Sequence, residues 1–185
     1  MRIAVLSDIH DNVWKLAAAL DAVRDTTETM LCCGDLCSPF IVHQIGRGYP
    51  HPVHVVFGNN DGDLFRITAI AAKYSHLRLH GEMFTGEFGG RKFAMNHFDA
   101  IARPLAASGL YDVVCFGHNH THEIARVGAT LAINPGSIMG AAFHADGTRR
   151  DAPSTFLVYD TGSGEVESFE VTGEMGEVAC HLRIL

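Results

Sequence analysis

The sequence has no continuous apolar run that approaches the ~20 residues of a membrane span. Its opening apolar segment, residues 2–6, runs directly into charged residues, so no secretory leader is predicted either. Basic residues are scarce as well: 14 Lys and Arg stand against 21 Asp and Glu, which gives a formal charge of -7. Such a chain lacks the cationic surface that a long phosphate backbone requires. We therefore expect a cytoplasmic protein that binds neither a membrane nor long nucleic acid.

Paired cysteines are lacking too. The five cysteines form an odd set without a CxxC pair: Cys32, Cys33, Cys37, Cys115 and Cys180. Neither a disulfide framework nor a thiolate zinc site is supported, and reduced, mostly buried thiols are expected. By contrast, the chain carries twelve histidines. Because a neutral imidazole is a metal ligand, the positions of these histidines decide the interpretation.

The apolar pattern predicts an α/β fold in one domain, residues 1–185. Three βα units open the chain, with strands at residues 2–6, 30–33 and 53–57, and they indicate a sheet with parallel strands. Helices are expected at residues 13–23, after a cap at Asp11 or Asn12, and at 39–45, 64–74 and 101–107.

Hairpins dominate the second half of the sequence. Their strand pairs are predicted at residues 83–87 and 92–95, 123–127 and 130–133, and 156–159 and 166–171, with a strand at 113–116 between the first two pairs. Residues 140–153 are expected to form a loop. Together with the first half, this pattern predicts two packed mixed β-sheets flanked by helices.

Five polar motifs stand where predicted strands end. They are Asp8-Ile9-His10, Gly34-Asp35, Gly58-Asn59-Asn60-Asp61, Asn96-His97 and Gly117-His118-Asn119-His120. In α/β sheets the loops at the carboxyl ends of strands converge on a ligand crevice. Side chains two apart in an extended segment point the same way, so Asp8 and His10 are expected to reach one ion, as are His118 and His120. Asp35 can bridge two ions.

The ligand types narrow the choice of metal. Carboxylate, imidazole and amide oxygen suit Mn²⁺, Fe²⁺ or Zn²⁺ and argue against copper or an iron-sulfur cluster. We expect two divalent ions per chain, with Mn²⁺ as the first choice and Fe²⁺, Zn²⁺ or Ni²⁺ as alternatives. Two such ions can orient a phosphate ester and produce a bridging hydroxide that attacks it at neutral pH.

Each of these residues has an ordinary explanation when it is taken alone. An Asp after a strand is a frequent helix cap, Gly-Asp and Gly-Asn pairs are common in turns, and a lone His97 would be structural in most proteins. The five motifs together, in this order at strand ends, favour the metal site. His122 and His144, which lie near the motifs, stay open. The other histidines are interpreted as structural or solvated: His43, His51, His54, His76, His80 and His181.

The motifs resemble those of the calcineurin-like metallophosphoesterase superfamily, and more closely its small bacterial and archaeal branch. The family pattern is D-x-H, G-D, G-N-x-D, an isolated His, G-H-x-H and N-P-G-S, and the last of these is residues 134–137 here. The resemblance covers nearly the whole chain. It implies a four-layer αββα sandwich and a hydrolase that cleaves a small phosphodiester or phosphomonoester at a dinuclear site.

The resemblance also assigns ligands to two ions that share Asp35. One ion takes Asp8, His10, Asp35 and His120. The other takes Asp35, Asn59, His97 and His118. The chain departs from the larger members at Asn60, where they have a His that is proposed to contact the phosphate and help the leaving group. Asn60 is therefore the candidate catalytic residue, but an amide is no general acid. Two further departures, Phe98 in place of Gly and a long loop at residues 138–153, affect the pocket.

Two other functions compete with the enzyme. A subunit of the retromer coat has this fold but acts through protein contacts, with some metal ligands replaced, so a non-catalytic binding scaffold is the main alternative. A nuclease would need a basic track beside the site, and Arg103, Arg149 and Arg150 are the local candidates. The sequence leaves open the natural substrate, the choice of monoester or diester, the native metal and whether the chain forms a homo-oligomer.

Overall fold

The strands of the protein assemble into two mixed β-sheets and a short hairpin. The computed structural model describes residues 1–143, 146–175 and 177–183. The strands are β1 (Arg2–Leu6), β2 (Thr29–Cys32), β3 (Val53–Val55), β4 (Leu77–Leu79), β5 (Met83–Phe88), β6 (Arg91–Asn96), β7 (Val113–Cys115), β8 (His122–Val127), β9 (Thr130–Pro135), β10 (Ala141–Phe143), β11 (Arg149–Asp151), β12 (Thr155–Asp160), β13 (Val166–Thr172) and β14 (Ala179–Arg183). The helices are α1 (Val13–Val23), α2 (Pro39–Gly48), α3 (Leu64–Ala71) and α4 (Asp99–Ala107).

The first sheet contains seven strands in the order β14-β13-β12-β1-β2-β3-β4. Its β1 to β4 half is parallel, which confirms the prediction from the three βα units, and β12, β13 and β14 add an antiparallel half. The second sheet has the order β5-β6-β7-β9-β8, with β6, β7 and β9 parallel and a hairpin at each edge. Both sheets are mixed, as predicted.

Alternation of side chains along the strands produces the layers. In β1, Ile3 and Val5 point into a core shared with β6, β7 and β9 of the second sheet, whereas Ala4 and Leu6 point into a core shared with α1, α2 and α3. A third core lies between α4 and the opposite face of the second sheet, where Ala102 and Ala106 pack on its strands. The result is helices, sheet, sheet and helix, the four-layer sandwich that the resemblance implies.

Local sequence signals account for the ends of the helices. Helix α1 begins after Asn12, whose side chain accepts a hydrogen bond from the Lys15 amide at 3.2 Å, so the predicted cap is confirmed. Pro39 occupies the first turn of α2, where a missing amide hydrogen costs nothing. Asp63 caps α3 by accepting from the Arg66 amide at 3.1 Å.

Three parts of the fold differ from the sequence prediction. Strands β4 and β14 were not predicted, because β4 has only three residues and β14 is an edge strand without regular apolar alternation. The expected loop at residues 140–153 contains the β10–β11 hairpin, whose second strand is fully exposed and so lacks an apolar pattern. Helix α2 extends beyond the predicted residue 45, and α3 stops before residue 74.

The buried thiols agree with the expectation from the composition. All five cysteines are free, and Cys32, Cys33 and Cys115 are buried. Burial raises the pKa of the Cys32 thiol to about 12, so it is an inert core residue. None of the helices in the described part of the chain combines the length and the apolar composition that a membrane crossing requires.

Candidate metal centre

The five polar motifs converge at one end of the two sheets, on loops that follow β1, β2, β3, β6 and β7. Two groups of side chains have ligand atoms within 4.8 Å of one another, and Asp8 belongs to both groups. The groups are Asp8, His10 and His120, and Asp8, Asp35 and His97. Asn59 lies against His97 and His118. The structure thus brings together all seven side chains that the sequence singles out as ligands.

The backbone of these loops is not extended. Side-chain-bearing residues rarely adopt a positive φ, yet five ligands do: Asp8 (52°), His10 (44°), Asp35 (56°), His118 (71°) and His120 (56°). The expectation that an extended segment aims His118 and His120 at one ion is therefore wrong, because His120 lies beside Asp8 and His118 beside Asn59. Backbone strain from positive φ angles is typical of functional sites, where contacts with surrounding residues maintain it.

The first ligand cluster surrounds a single point between Asp8, His10 and His120. His10 Nε2 lies 3.1 Å from His120 Nε2. Asp8 Oδ1 lies 3.2 Å from His120 Nε2 and 3.7 Å from His10 Nε2. This oxygen is buried and has no hydrogen-bond partner in the described residues. A buried carboxylate oxygen without a partner is costly, and a cation at this point would satisfy it.

The second ligand cluster lies on the other side of Asp35. Asn59 Oδ1 is 3.1 Å from His97 Nε2 and 2.9 Å from His118 Nδ1. Asp35 Oδ2 is 3.5 Å from His97 Nε2 and 3.4 Å from His10 Nε2. Asp35 therefore faces imidazoles of both clusters, and the donor set of carboxylate, imidazole and amide oxygen fits two divalent cations.

Outer hydrogen bonds set the tautomers of the buried imidazoles. His97 Nδ1 donates to the Cys33 carbonyl at 2.7 Å, and His120 Nδ1 donates to the Ala141 carbonyl. A carbonyl can only accept, so the proton is on Nδ1 and Nε2 presents a lone pair to the cluster. His118 has the opposite orientation, with Nδ1 facing Asn59.

Charge in the cluster is balanced between carboxylates and imidazoles. Burial by itself raises the pKa of Asp8, but the nearby imidazoles of His10 and His120 together outweigh it and hold this pKa well below its ordinary value. The pKa of Asp35 is lowered in the same way, against the effect of burial, by His97. The same contacts raise the pKa of His97 and His120, again against burial. Divalent cations would replace the protons that the imidazoles hold.

Asp61 is a positioning residue whose role the sequence pattern did not reveal. Its carboxylate accepts from the amides of Gly58 at 2.7 Å, Cys37 at 2.9 Å and Asp35 at 3.1 Å. These bonds tie the loop after β3 to the loop after β2, and so they fix Asn59 relative to Asp35. Burial raises the pKa of Asp61, although the backbone donors oppose this. An Asp in a Gly-Asn-Asn-Asp turn usually indicates a hydrogen bond to the backbone of its own turn, as with Gly58 here. It does not indicate hydrogen bonds to the backbone of a distant loop, as with Asp35 and Cys37.

The segment 134–137 joins two other ligand loops. Asn134 Nδ2 donates to the Gly117 carbonyl at 3.0 Å, which holds the loop that carries His118. Ser137 Oγ donates to the Asp8 carbonyl at 2.9 Å. Both side chains are buried. The segment 134–137 therefore positions the loops of candidate ligands and contributes no ligand itself.

Two glycines allow the ligand loops to touch. A Cβ on Gly58 would overlap the Asp35 carboxylate. A Cβ on Gly117 would overlap Ser7 Oγ and lie 2.5 Å from Asp8 Oδ2. Asp8 Oδ2 accepts a hydrogen bond from the His118 amide at 3.0 Å, and the absence of a Cβ on Gly117 allows this approach. The glycines in these motifs are thus required by close approach of backbone to ligand.

Asn60 and Phe98, the two departures from the larger family members, both contact ligands. Asn60 donates to both oxygens of Asp35, through its amide at 2.8 Å and through Nδ2 at 2.8 Å. The Phe98 ring packs edge-on against His97 and His118, with centroids 5.1 Å and 4.9 Å away. Asn60 also lines the cavity above the cluster.

A cavity of about 560 Å³ opens over the ligands. Its floor consists of the polar side chains of the cluster, and one wall is formed by Met139, Ala142 and Phe143. The wall belongs to residues 138–153, the segment expected to affect the pocket. The Ala141 carbonyl, which accepts from His120, ties this wall to the candidate metal ligands.

Other candidates from the sequence lie away from the cluster or are already paired. His122 Nε2 bonds to Ser168 Oγ at 2.9 Å, and His144 lies outside the described residues. Arg103 makes two hydrogen bonds to Glu123, of 3.0 and 2.7 Å. Arg149 lies 3.3 Å from Asp151. His54 stacks on His80, and neither residue lines the cavity above the ligands.

Comparison with known proteins agrees with this geometry. A phosphodiesterase of Methanocaldococcus jannaschii is 29% identical over 143 residues, which are 76% of this chain and 86% of the relative. The structure of an archaeal phosphodiesterase superposes with a TM-score of 0.80 at 26% identity, covering 92% of this chain and 99% of that one. Vps29 of Entamoeba histolytica in complex with zinc has a TM-score of 0.66 at 21% identity, covering 99% and 98%, and shares the fold.

The family model for the calcineurin-like phosphoesterase superfamily domain matches residues 1–164, which contain every ligand motif described above. The sandwich, the five loops at its edge and this match lead to one conclusion: the chain belongs to the calcineurin-like phosphoesterase superfamily.

Proposed function

We propose that the protein is a dinuclear, divalent-metal-dependent phosphodiesterase that acts on a small substrate. The observation that carries the proposal is the position of Asp35, whose Oδ2 lies between His10 Nε2 at 3.4 Å and His97 Nε2 at 3.5 Å. One ion is held by Asp8, His10, Asp35 and His120. The other is held by Asp35, Asn59, His97 and His118.

When bound, two divalent ions polarise a phosphoryl oxygen and supply hydroxide at neutral pH. The protein contributes the rest of the chemistry. Asp8 and Asp35 add two negative charges, so with hydroxide the inner site carries about +1, which attracts a phosphate ester to an acidic chain. Asn60, at the cavity floor, is the amide available to a phosphoryl oxygen. No residue with the properties of a general acid lines the cavity in the described residues, other than the ligand imidazoles.

A small diester fits the cavity and its charges. The volume of about 560 Å³ is that of a small-molecule site. Arg103 and Arg149 are paired with carboxylates, so they do not form a free basic track for a long polymer. Mn²⁺ is the first ion to test, because the site contains oxygen and imidazole ligands and no thiolate among its seven members.

The test is metal reconstitution followed by elemental analysis and hydrolysis of bis-p-nitrophenyl phosphate and p-nitrophenyl phosphate. We expect two Mn²⁺ per chain and faster hydrolysis of the diester than of the monoester. Fewer than one ion per chain, together with no hydrolysis, would contradict the proposal. A preference for the monoester would retain the dinuclear site and reject the diesterase assignment.

The same assay addresses the non-catalytic scaffold. All seven ligand residues are present and cluster here, which favours catalysis. A scaffold would bind metal without hydrolysing either ester under any of the ions Mn²⁺, Fe²⁺, Zn²⁺ and Ni²⁺. That outcome would favour protein binding as the function of the fold.

A further inference from the structure

A second cavity lies beside the candidate metal centre and shares Met139 with it. Its volume is about 280 Å³, and its walls include Trp14 and Lys15 from the first turn of α1, Arg149 and Met175. Trp14 is the only tryptophan of the chain and is 49% exposed. None of the seven candidate ligands lines this cavity, so the proposed metal chemistry does not account for it.

The position of Lys15 is not explained by the stability of α1. The amino end of a helix is the positive end of its dipole, so a cation in the first turn is unfavourable there. The first turn of α1 also contains no acidic residue. The ion pairs among the described residues do not include Lys15. The ammonium of the half-buried Lys15 and the helix end therefore present positive charge to the same cavity.

Gly140 places that ammonium at the junction of the two cavities. Gly140 has φ of +77°, and a Cβ at this position would lie 2.5 Å from Lys15 Nζ. The ammonium thus lies against the backbone next to Met139, the residue that both cavities share. Asn12 Nδ2 donates to the Met139 carbonyl at 3.3 Å and holds this segment against the start of α1.

The ammonium of Lys15 is the feature of the second cavity that favours an anion. The cations on its walls are Lys15 and Arg149, and Glu174 is the one carboxylate among its lining residues. Arg149 is already paired with Asp151 at 3.3 Å, so Lys15 is the cation left for a ligand. The metal ligand His10 and Trp14 are four residues apart, so their Cα atoms are no more than about 15 Å apart. A molecule the size of a nucleotide spans that distance.

We propose that the second cavity is an anion subsite of the substrate cleft. Lys15 binds a second, terminal phosphate group of a phosphodiester whose scissile phosphate lies at the metal centre, and the Trp14 ring packs against the organic part of that molecule. This inference rests on the proposed function and names its substrate class: diesters that carry an additional phosphate.

A matched pair of substrates tests the inference. One is the p-nitrophenyl ester of thymidine 5′-phosphate, and the other is the same ester with a second phosphate on the 3′-hydroxyl. Because the leaving group is identical, the pair differs only in the added anion. We expect the added phosphate to lower KM about tenfold, the low end of the effect of a charge-assisted hydrogen bond.

Lys15→Gln should abolish this difference and leave hydrolysis of the ester without the added phosphate unchanged. Lys73→Gln is the matched control, because Lys73 is exposed on the segment after α3 and lines neither cavity. Equal KM values for the two esters in the parent protein would overturn the inference, as would a preference that survives Lys15→Gln. Hydrolysis of neither ester would instead count against the proposed function.

Fluorescence provides a second readout that does not depend on catalysis. Since Trp14 is the sole tryptophan and lines the second cavity, its emission reports occupancy of that cavity. With Mn²⁺ present, thymidine 3′,5′-bisphosphate should change the emission at concentrations about tenfold lower than thymidine 5′-phosphate does. Lys15→Gln should remove this advantage. Identical titration curves for the two nucleotides in the parent protein would reject the subsite even if the enzyme is active.

Discussion

The Asp35 carboxylate is held from three directions. His10 and His97 face its Oδ2 from opposite clusters, and Asn60 donates to both of its oxygens. Its pKa is lowered despite burial, because the His97 imidazole and the hydrogen bonds from Asn60 together outweigh desolvation. Loss of this one charge therefore affects both proposed ions.

We predict that Asp35→Asn lowers kcat toward bis-p-nitrophenyl phosphate by at least about a hundredfold and reduces bound Mn²⁺ below two per chain. The amide is nearly isosteric, but it removes the charge that both ions share. His122→Ala is the control, because His122 bonds to Ser168 and lies outside both clusters. Equal losses in the two variants would mean that the site is misplaced.

The side chain of Asn60 determines a second property of the site, its action on the leaving group. An amide can donate to a phosphoryl oxygen but cannot deliver a proton to a departing alkoxide. We therefore predict a steep dependence of rate on leaving-group pKa, with nitrophenyl diesters reacting far faster than alkyl diesters. Asn60→His should flatten that dependence and leave metal content unchanged.

The measurement for Asn60 is a plot of log rate against leaving-group pKa for the parent and Asn60→His. Asn60→Ala serves as control, since it removes the bond to Asp35 without adding an acid. Parallel lines for the parent and Asn60→His would show that Asn60 is not on the leaving-group side. A fall in metal content in both variants would show that Asn60 serves to hold the Asp35 carboxylate and does not act on the leaving group.

At the scale of elements, the sequence predicts the strands better than the loops that connect them. Apolar runs such as residues 2–6 locate buried strands, and strand ends locate the motifs. The left-handed turns at His118 and His120 could not be predicted, because they depend on contacts from Asn134 and other distant residues. The β10–β11 hairpin was missed for a different reason: its exposed strand has no buried face to produce a pattern.

Gly117 illustrates how loops position ligands through close contact. We predict that Gly117→Ala weakens Mn²⁺ binding at least about tenfold, because the new Cβ would lie 2.5 Å from Asp8 Oδ2 and displace it. Gly62→Ala is the control, since its Cβ would meet only the Cys37 carbonyl at 3.4 Å. Isothermal titration calorimetry measures the affinity, and circular dichroism checks that both variants fold. Equal affinity in the two variants would contradict the role assigned to Gly117.

At the scale of the whole molecule, metal binding should couple to stability and to pH. The ligand loops come from both sheets, so ions held between them stabilise the contact of the two layers. Asp8 and Asp35 have lowered pKa values and stay charged across the neutral range. His97 and His120 have raised pKa values, so in the metal-free protein their protons persist to higher pH and compete with the ions.

We predict that Mn²⁺ at a hundredfold excess over its Kd raises Tm by roughly 10 to 20 °C at about pH 8, from about 2.7 kcal/mol of binding free energy for each of the two ions. The rise should shrink as pH falls through about 6.5, because protons then occupy the imidazoles. Burial lowers the pKa of His54 to about 4, so this residue by itself makes the metal-free protein less stable as pH falls from about 6.5 toward 4. Subtracting the Tm measured in chelator from the Tm measured in Mn²⁺ at each pH removes the contribution of His54. A metal-induced shift that is constant from about pH 8 to 5, or equally large in Asp35→Asn, would contradict ligation by these imidazoles.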